Sequence, residues 1–262
     1  MNNDNISGFR YNFEIYQEAS KLRTRSIFLY SWIEFVNSNE IVRAVISKPI
    51  LKFGLEPELP LPIPAESNTY PLVEALANRR SNRDFTAQFC SINDFSGILK
   101  YAISEVLKVE FEDGVSWAFR PYPSAGGLFP IDVYCIVNKV ETIAAGIYFY
   151  NPKSHSLAKT FLKYDQEILI NAAPSAKKQI EDSSFIIVLV AVMPRIAFKY
   201  SERSYRFALL EAGHIAQNLL LCSTSYSIKS FPAGAFIDDG LNDILNLDGI
   251  SSSAQYLLVF GK

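Results

Sequence analysis

The stretch Phe198–Asn218, with the sequence FKYSERSYRFALLEAGHIAQN, guides the interpretation of the whole chain. Its second part is apolar on nearly every face of a helix, which is typical of a helix inside a domain or between two subunits. The small residues Ala212, Gly213 and Ala216 would let another backbone approach closely. The pattern therefore predicts a buried helix around which the fold is organised.

Lys199 and Tyr200 directly precede this predicted helix. Each side chain can donate or accept a proton if burial or a neighbouring charge shifts its pKa. The residues alone leave two interpretations open. The pair is either an exposed lysine beside a packed tyrosine, or a proton-transferring pair in a functional site.

Composition and charge exclude several classes of protein. The chain has 262 residues, of which 49% are hydrophobic, and a formal net charge of -2. It has no basic patch of the kind that binds nucleic acid or an anionic membrane, so neither partner is expected. No apolar run is long enough to span a bilayer and the first residues are too polar for a signal peptide, so we expect a cytoplasmic protein. The widely spaced cysteines and histidines predict neither a metal site nor a disulfide framework.

The chain divides into two predicted parts. Residues 1–65 are expected to form a helical extension, broken near Asn37, and a proline-rich connector, because each proline disfavours helix. Residues 66–262 are expected to form the main domain. In it, Phe185–Met193 is an unbroken apolar run that predicts a central strand covered on both faces. The irregular alternation of strands and helices favours a three-layer α+β fold.

Two further local predictions concern this domain. Ser91 begins a capping-box-like sequence, which predicts a helix from there to about Leu107. Ser230–Phe236 contains proline and small residues and is predicted to be a loop, followed by a short helix and a final strand at Gln255–Gly261.

Arg79, Ser81 and Arg83 have alternate spacing, so their side chains would project to one side of an extended chain. Such a set can clamp a phosphate, because arginine offers forked donors and serine adds a hydroxyl. Positive residues after a helix also simply complement the dipole at its carboxyl end. Both interpretations are compatible with the sequence.

Two segments of small residues could approach a flat ligand closely. Ser124–Gly127 contains two glycines, which lack the Cβ that would hold a ring or phosphate away. A tight turn between strands explains the same residues equally well. Pro232–Ala235 has a similar character, and neither segment is a recognised nucleotide-binding motif.

Taken together, these segments resemble the nitroreductase superfamily of FMN flavoproteins, and within it the SagB-type thiazoline/oxazoline dehydrogenases. The resemblance is carried by Arg79–Phe85 (RRSNRDF), Arg120–Pro130 (RPYPSAGGLFP) and Lys199–His214 (KYSERSYRFALLEAGH). It covers the chain from about residue 70 to its end. It implies a nitroreductase-like fold with a central, mostly antiparallel sheet flanked by helices, in an intertwined homodimer.

The resemblance also implies roles for individual residues. The organising helix would lie in the dimer core, with His214 as a hydrogen-bonded residue of that interface and without a catalytic duty. The Ser124–Gly127 loop would come from the partner subunit, and Lys199 and Tyr200 would be catalytic. The residues implied to bind FMN are Arg79, Arg80, Ser81, Arg83, Pro123, Ser124, Ala125, Gly126, Gly127, Pro232, Ala233, Gly234, Ala235 and Lys262.

The implied reaction is the oxidation of a peptide thiazoline or oxazoline to the azole, with oxygen reoxidising the flavin. Tyr200 could be the base, its pKa lowered by a cationic Lys199, or Lys199 could be the base or orient the ring. The peptide could be a ribosomal precursor presented by a cyclodehydratase, or an intermediate on a non-ribosomal synthetase. Two alternatives are an NAD(P)H-dependent nitro- or flavin reductase and a non-catalytic scaffold subunit of a synthetase complex.

Overall fold

A central sheet between two layers of helices is the main feature of the fold. A computed structural model describes residues 13–21, 27–39, 42, 58–64, 70–110 and 116–262. In chain order the helices are α1 (Phe13–Ala19), α2 (Ile27–Ser38), α3 (Leu72–Asn78), α4 (Ile92–Ile103), α5 (Gln166–Ala172), α6 (Lys177–Asp182), α7 (Pro194–Tyr200), α8 (Arg203–Ser225) and α9 (Asp238–Ile244). The strands are β1 (Leu59–Pro60), β2 (Leu107–Glu110), β3 (Ser116–Phe119), β4 (Ile131–Val137), β5 (Gly146–Asn151), β6 (Ser156–Lys159), β7 (Phe185–Val192), β8 (Lys229–Ala233) and β9 (Ser252–Gly261).

The large sheet has seven strands in the order β1, β6, β5, β4, β7, β9, β8. All of its strand pairs are antiparallel. This arrangement confirms the prediction of a mostly antiparallel central sheet in an α+β fold. The strands β2 and β3 form a separate two-stranded sheet.

The central strand β7 joins two hydrophobic cores. Its alternate residues, such as Ile187 and Leu189, belong to the core that includes α4 and α8. The residues between them, such as Ile186 and Val188, belong to the core that includes α5, α6 and α9. Successive strand side chains point to opposite faces, so an unbroken apolar run is what a strand covered on both faces requires. The prediction for this segment is confirmed.

Helix α4 begins as predicted but ends earlier. The Ser91 side chain accepts a hydrogen bond from the Asp94 backbone amide at 3.0 Å, which caps the helix. The chain becomes extended at Ser104, with ψ of 164°. Leu107 then begins strand β2, which pairs with β3. The predicted continuation of the helix to Leu107 is wrong, because the apolar periodicity there belongs to a strand.

Helix α8 is buried on one side only in the single chain. Ala208, Ala212 and Leu219 are buried against α4 and the sheet. On the other side, Leu210 is 53% exposed and His214 is exposed as well. The alternative of a helix buried all round inside one domain is therefore wrong, because the side that carries Leu210 and His214 faces away from the core. The alternative of a helix between two subunits stays a prediction. His214 is likewise not buried in the single chain.

The described parts of the amino-terminal segment pack on the main domain. α2 ends at Ser38, near the predicted break, and the part of the helical extension expected after it lies outside the described residues except for Asn39 and Val42. β1 pairs with β6, so part of the proline-rich connector joins the edge of the sheet. Among the described helices, none is long and apolar enough to cross a membrane.

Candidate functional site

Lys199 and Tyr200 end helix α7, and Ser201 separates them from α8. Ser201 has a φ of 48°, a left-handed conformation that breaks the helix between the two elements. The Lys199 side chain is only 4% exposed. Its Nζ donates a hydrogen bond to Asn37 Oδ1 of α2 at 2.8 Å. Burial lowers the pKa of Lys199, because a charged ammonium loses its hydration in such a place.

Tyr200 lies beside Lys199 with its ring packed on α8. The Tyr200 and Phe207 ring centroids are 5.0 Å apart in an edge-to-face contact, and Lys199 Nζ is 5.4 Å from the Tyr200 ring centroid. Burial raises the pKa of Tyr200. The expectation that the neighbouring lysine lowers this pKa is therefore wrong, since loss of hydration outweighs any effect of the amine.

The Ser124–Gly127 loop lies against this pair within the same chain. Gly126 has a φ of 63°, which favours glycine. A Cβ at Gly126 would lie 2.6 Å from the Tyr200 hydroxyl and 2.9 Å from Lys199 Nζ. The loop therefore needs glycine for both its backbone and its close approach. We call Gly126, Lys199 and Tyr200 the lysine–tyrosine site.

The rest of this loop is also closely packed. A Cβ at Gly127, which has a φ of 63°, would lie 2.4 Å from Trp117 Nε1. The Phe129 backbone amide donates to the Ser124 hydroxyl at 2.9 Å, which closes the turn. The tight-turn interpretation is thus correct for this segment, and its turn presents Gly126 to the lysine and tyrosine. Pro123 precedes the turn and is exposed.

A second group of predicted residues surrounds β8. Ser81 pairs with Ser230, and the Asn82 amide donates to the Ser230 carbonyl at 3.0 Å. The Arg83 guanidinium lies over the Phe231 ring, 4.9 Å from its centroid. We call Arg79, Ser81 and Arg83 the arginine cluster.

Arg79 and Arg80 differ in their surroundings. The Arg80 guanidinium donates to the carbonyls of Ala77 and Arg79, both at 2.8 Å, so it caps the carboxyl end of α3. Among the described residues, neither Arg79 nor Arg83 forms an ion pair. The helix-capping interpretation thus fits Arg80, and Arg79 and Arg83 retain their charge for an anion.

Pro232–Ala235 is only partly a loop. Pro232 and Ala233 belong to β8, which pairs with β9, so the predicted loop at Ser230–Phe236 is wrong in its first half. Proline is compatible with this strand because β8 lies at the edge of the sheet. Gly234 and Ala235 follow the strand and are exposed. A Cβ at Gly234 would meet nothing within 4 Å.

Lys262 lies beside Thr86, which follows the arginine cluster in the chain, and its side chain extends toward Asp94 of α4. Its carbonyl accepts from the Thr86 backbone amide at 2.6 Å, and its Nζ lies 4.0 Å from Asp94 Oδ2. The ammonium already has a carboxylate nearby, so a role in phosphate binding stays a prediction.

The two groups lie on different parts of one chain. The lysine–tyrosine site is built from α7 and the loop before β4, whereas the arginine cluster follows α3 and borders β8. Among the described residues, no hydrogen bond or ring contact joins the two groups. Within the part of the chain that the structure describes, no group of three or more histidine, cysteine, aspartate or glutamate side chains could hold a metal ion.

Glu211 is a site residue that the sequence does not reveal. It lies on α8 and is only 2% exposed. Burial raises its pKa to about 7, although the Ser124 hydroxyl, the Arg120 guanidinium and the Ile131 backbone amide act in the opposite direction. Among the described residues, no ion pair is formed by this carboxyl. A titratable carboxyl is thus buried behind the Ser124–Gly127 loop.

The residues of the two groups fit a cofactor with a phosphate and a flat ring, such as FMN. Arg79 and Arg83 can neutralise a phosphate, and Ser81 offers a hydroxyl beside them. Gly126 has no Cβ, so the loop backbone lies directly against the Lys199 and Tyr200 side chains. This set of donors agrees with the predicted cofactor.

Comparison with known proteins identifies the family of the chain. The family model described as the nitroreductase family matches residues 76–262. A nitroreductase-like protein of Methanocaldococcus jannaschii, MJ1384, is 31% identical over 178 residues, which are 67% of this chain and 84% of that protein. The microcin B17-processing protein McbC of Escherichia coli is 28% identical over 146 residues, which are 54% of each chain. The match thus spans about half the length of McbC.

Solved structures agree on the fold. A nitroreductase-like protein of Anabaena variabilis superposes with a TM-score of 0.70 at 23% identity, covering 96% of this chain and 46% of that one. A chain of the Escherichia coli microcin synthetase McbBCD, bound to truncated pro-MccB17, superposes with a TM-score of 0.58 at 21% identity, covering 97% of this chain and 98% of that one. At these identities the likeness establishes the fold.

Proposed function

We propose, since the chain belongs to the nitroreductase family, that it is an FMN-dependent enzyme that oxidises a peptide thiazoline or oxazoline to the azole, with oxygen as electron acceptor. The observation that carries this proposal is the buried Lys199 amine beside Tyr200 and Gly126. The similarity to McbC, a microcin-processing protein, supports a peptide as the substrate. Azoline oxidation needs a base within the site, and these residues offer one.

The chain's own residues explain how the proton can be removed. Oxidation of an azoline takes a proton from one ring carbon and a hydride from its neighbour. Because burial disfavours the ammonium form, Lys199 has a neutral fraction that can accept this proton at Nζ. Tyr200 keeps its proton, since burial raises its pKa, and its hydroxyl can donate a hydrogen bond to the substrate. We therefore favour Lys199 as the base and Tyr200 as the orienting residue.

Other residues would hold the cofactor. Bound FMN supplies the hydride acceptor, and oxygen then takes up the electrons and protons as hydrogen peroxide. Arg79, Ser81 and Arg83 would bind the phosphate through charge-assisted hydrogen bonds. The exposed backbone at Gly234 leaves room for a flat ring beside β8. The Ser124–Gly127 loop of a partner subunit would complete the site, and Gly126 would place no side chain there.

A homodimer would explain why the two groups lie apart within one chain. In a symmetric dimer, the lysine–tyrosine site of one subunit can meet the arginine cluster of its partner. The exposed apolar side chains of α8, such as Leu209 and Leu210, and of α3, such as Leu72 and Val73, offer a surface for this contact. Large exposed apolar groups of this kind are typical of subunit interfaces.

The test is the anaerobic addition of a thiazoline or oxazoline peptide to the FMN-loaded protein. We expect the visible flavin band to bleach and azole product to form in equal amount, and air to restore the band with release of hydrogen peroxide. Failure with azolines in both ribosomal and carrier-tethered peptides, together with rapid bleaching by NADPH, would refute the proposal.

The second candidate is an NAD(P)H-dependent nitro- or flavin reductase, which the similarity to the nitroreductase-like MJ1384 favours. The same anaerobic experiment separates the two, because NADPH would then bleach the flavin and azolines would not. A protein that stays colourless and takes up no FMN would instead support a scaffold subunit. The likeness to a chain of the McbBCD complex makes a cyclodehydratase or synthetase a reasonable partner to add to the assay.

A further inference from the structure

The amino-terminal helix α2 contacts the end of α7, where Lys199 lies. Trp32 Nε1 of α2 donates to the Phe198 carbonyl at 2.6 Å. Phe198 is in the last turn of α7, where carbonyl groups have no partner within the helix. Val36 of α2 is fully buried and anchors the helix beside this point. Helix α2 thus contacts this point twice. Trp32 donates to the Phe198 carbonyl, and Asn37 accepts a hydrogen bond from Lys199.

The bond from Lys199 to Asn37 fixes the position of the amine. Nζ lies 2.8 Å from Asn37 Oδ1, and Asn37 is 162 residues away in the chain. In the described part of the chain, Nζ forms no ion pair, and it lies close to Tyr200 and Gly126. Burial lowers its pKa. The Asn37 carboxamide is the hydrogen-bond acceptor for this amine among the described residues.

An amide oxygen suits a lysine that must change its protonation state. It can accept a hydrogen bond from either the ammonium or the neutral amine, since both carry N–H donors. A carboxylate at the same place would favour the ammonium strongly and keep the lysine charged. Asparagine thus orients the amine while leaving it able to take up a proton.

We propose that helix α2 is part of the active site, and that Asn37 is a positioning residue that orients the Lys199 amine toward the Gly126 loop. The proposal rests on the proposed function for its catalytic consequence, but the contact itself can be tested separately. It gives a helix that precedes the nitroreductase-like domain an indirect role in proton transfer, through the position of Lys199.

The test compares Asn37→Asp and Asn37→Ala in the FMN-loaded full chain. Ser38→Ala is the matched control, because within the described residues the Ser38 hydroxyl bonds to the Phe35 carbonyl of its own helix and not to Lys199. The first measurement is an NMR titration of Lys199 in protein that carries ¹³Cε-labelled lysine. The Lys199 signal is assigned as the resonance that disappears in Lys199→Arg. The second is the pH profile of flavin bleaching by an azoline peptide.

We expect Asn37→Asp to raise the titration midpoint of Lys199 by about one pH unit or more, because it places a carboxylate beside the amine. The bleaching profile should move to higher pH by the same amount. Asn37→Ala should slow bleaching by about tenfold to a hundredfold with unchanged FMN content, since the amine loses its orientation. Ser38→Ala should change neither measurement.

An unchanged Lys199 midpoint in Asn37→Asp would overturn the proposal. Wild-type bleaching rates in both Asn37 variants would overturn it as well. A shifted midpoint in a protein that no azoline bleaches would support the contact between Asn37 and Lys199 and refute only the proposed reaction. The two failures are therefore distinguishable.

Discussion

Replacing Glu211 with glutamine removes the charge of a carboxyl that the fold buries behind the Ser124–Gly127 loop. The side chain is only 2% exposed, and it forms no ion pair among the described residues. Glutamine has nearly the same shape but carries no charge, so Glu211→Gln separates the effect of ionisation from that of packing. Burial raises the pKa of Glu211 from 4.5 to about 7, so ionisation of this group opposes folding.

The sign and size of the effect follow from linkage. The Glu211 carboxyl binds its proton more tightly in the folded state than in the unfolded state. The stabilisation that this proton gives is therefore fully present below the pKa of Glu211 in the unfolded state, and it is lost as pH rises through the pKa in the folded state. The shift from 4.5 to about 7 corresponds to about 3 kcal/mol of lost stability above both values. Most of this loss falls between about pH 5 and pH 8.

The assay is urea unfolding of wild-type and Glu211→Gln protein at about pH 5 and about pH 8, with FMN and protein concentration held constant. We expect the free energy of unfolding of Glu211→Gln minus that of wild type to increase by about 2 to 3 kcal/mol from the lower to the higher pH. Glu202→Gln is the control, because a hydrogen bond from Ser201 lowers the pKa of this exposed carboxyl and no gain is expected. A relative stability of Glu211→Gln that does not change with pH would refute the reasoning and indicate a paired or hydrated carboxyl.

Three further predictions test the site and the dimer. Lys199→Ala and Tyr200→Phe should retain bound FMN but lose azoline-driven bleaching by about a hundredfold or more, measured by stopped flow, and full activity in both would remove the proposed proton transfer. Arg83→Ala should weaken FMN binding by about tenfold to a hundredfold in a fluorescence titration, and Arg80→Ala, whose side chain caps α3, should weaken it far less; equal losses would contradict this assignment. Leu210→Glu should shift the protein from dimer to monomer in sedimentation velocity, and an unchanged mass would place the interface elsewhere.

Local patterns predicted much of the fold. Phe185–Val192 could be recognised as the central strand because only a strand covered on both faces tolerates an unbroken apolar run. The start of α4 could be recognised because the Ser91 cap is encoded within a few residues. The matching segments from Arg79 to His214 predicted the family, and the family model confirms it.

Other elements depend on partners that are distant in the sequence. Pro232 and Ala233 have the composition of a loop, but pairing with β9 makes them an edge strand. Leu107 continues the helical periodicity of α4, yet its segment pairs with β3. The pairing of β8 with β9 has no local signature. At Leu107 the error has another cause, because a short apolar run fits the helical period as well as a strand of the β2–β3 pair.

The candidate site could be predicted only in part. Its glycines and the Lys199–Tyr200 pair are visible as sequence motifs, but the degree of burial that sets their pKa values is not. Asn37 has no signal at all, since it meets Lys199 only through the packing of α2 on α7. Glu211 was not predicted either, because the sequence alone does not show that this carboxyl lies on the buried face of α8.

Strand β7 also has a consequence for synthesis of the chain. Its eight residues, FIIVLVAV, carry no charge and no proline, a composition that favours aggregation when a strand is exposed. During translation, β4 and β5 emerge before it, whereas α8 and β9, which cover one face and one edge, emerge after it. Pairing with β4 therefore protects only one edge of the nascent strand. Until the carboxyl-terminal part is made, one edge of β7 and part of one face have no partner, so we expect this strand to be prone to aggregation during synthesis.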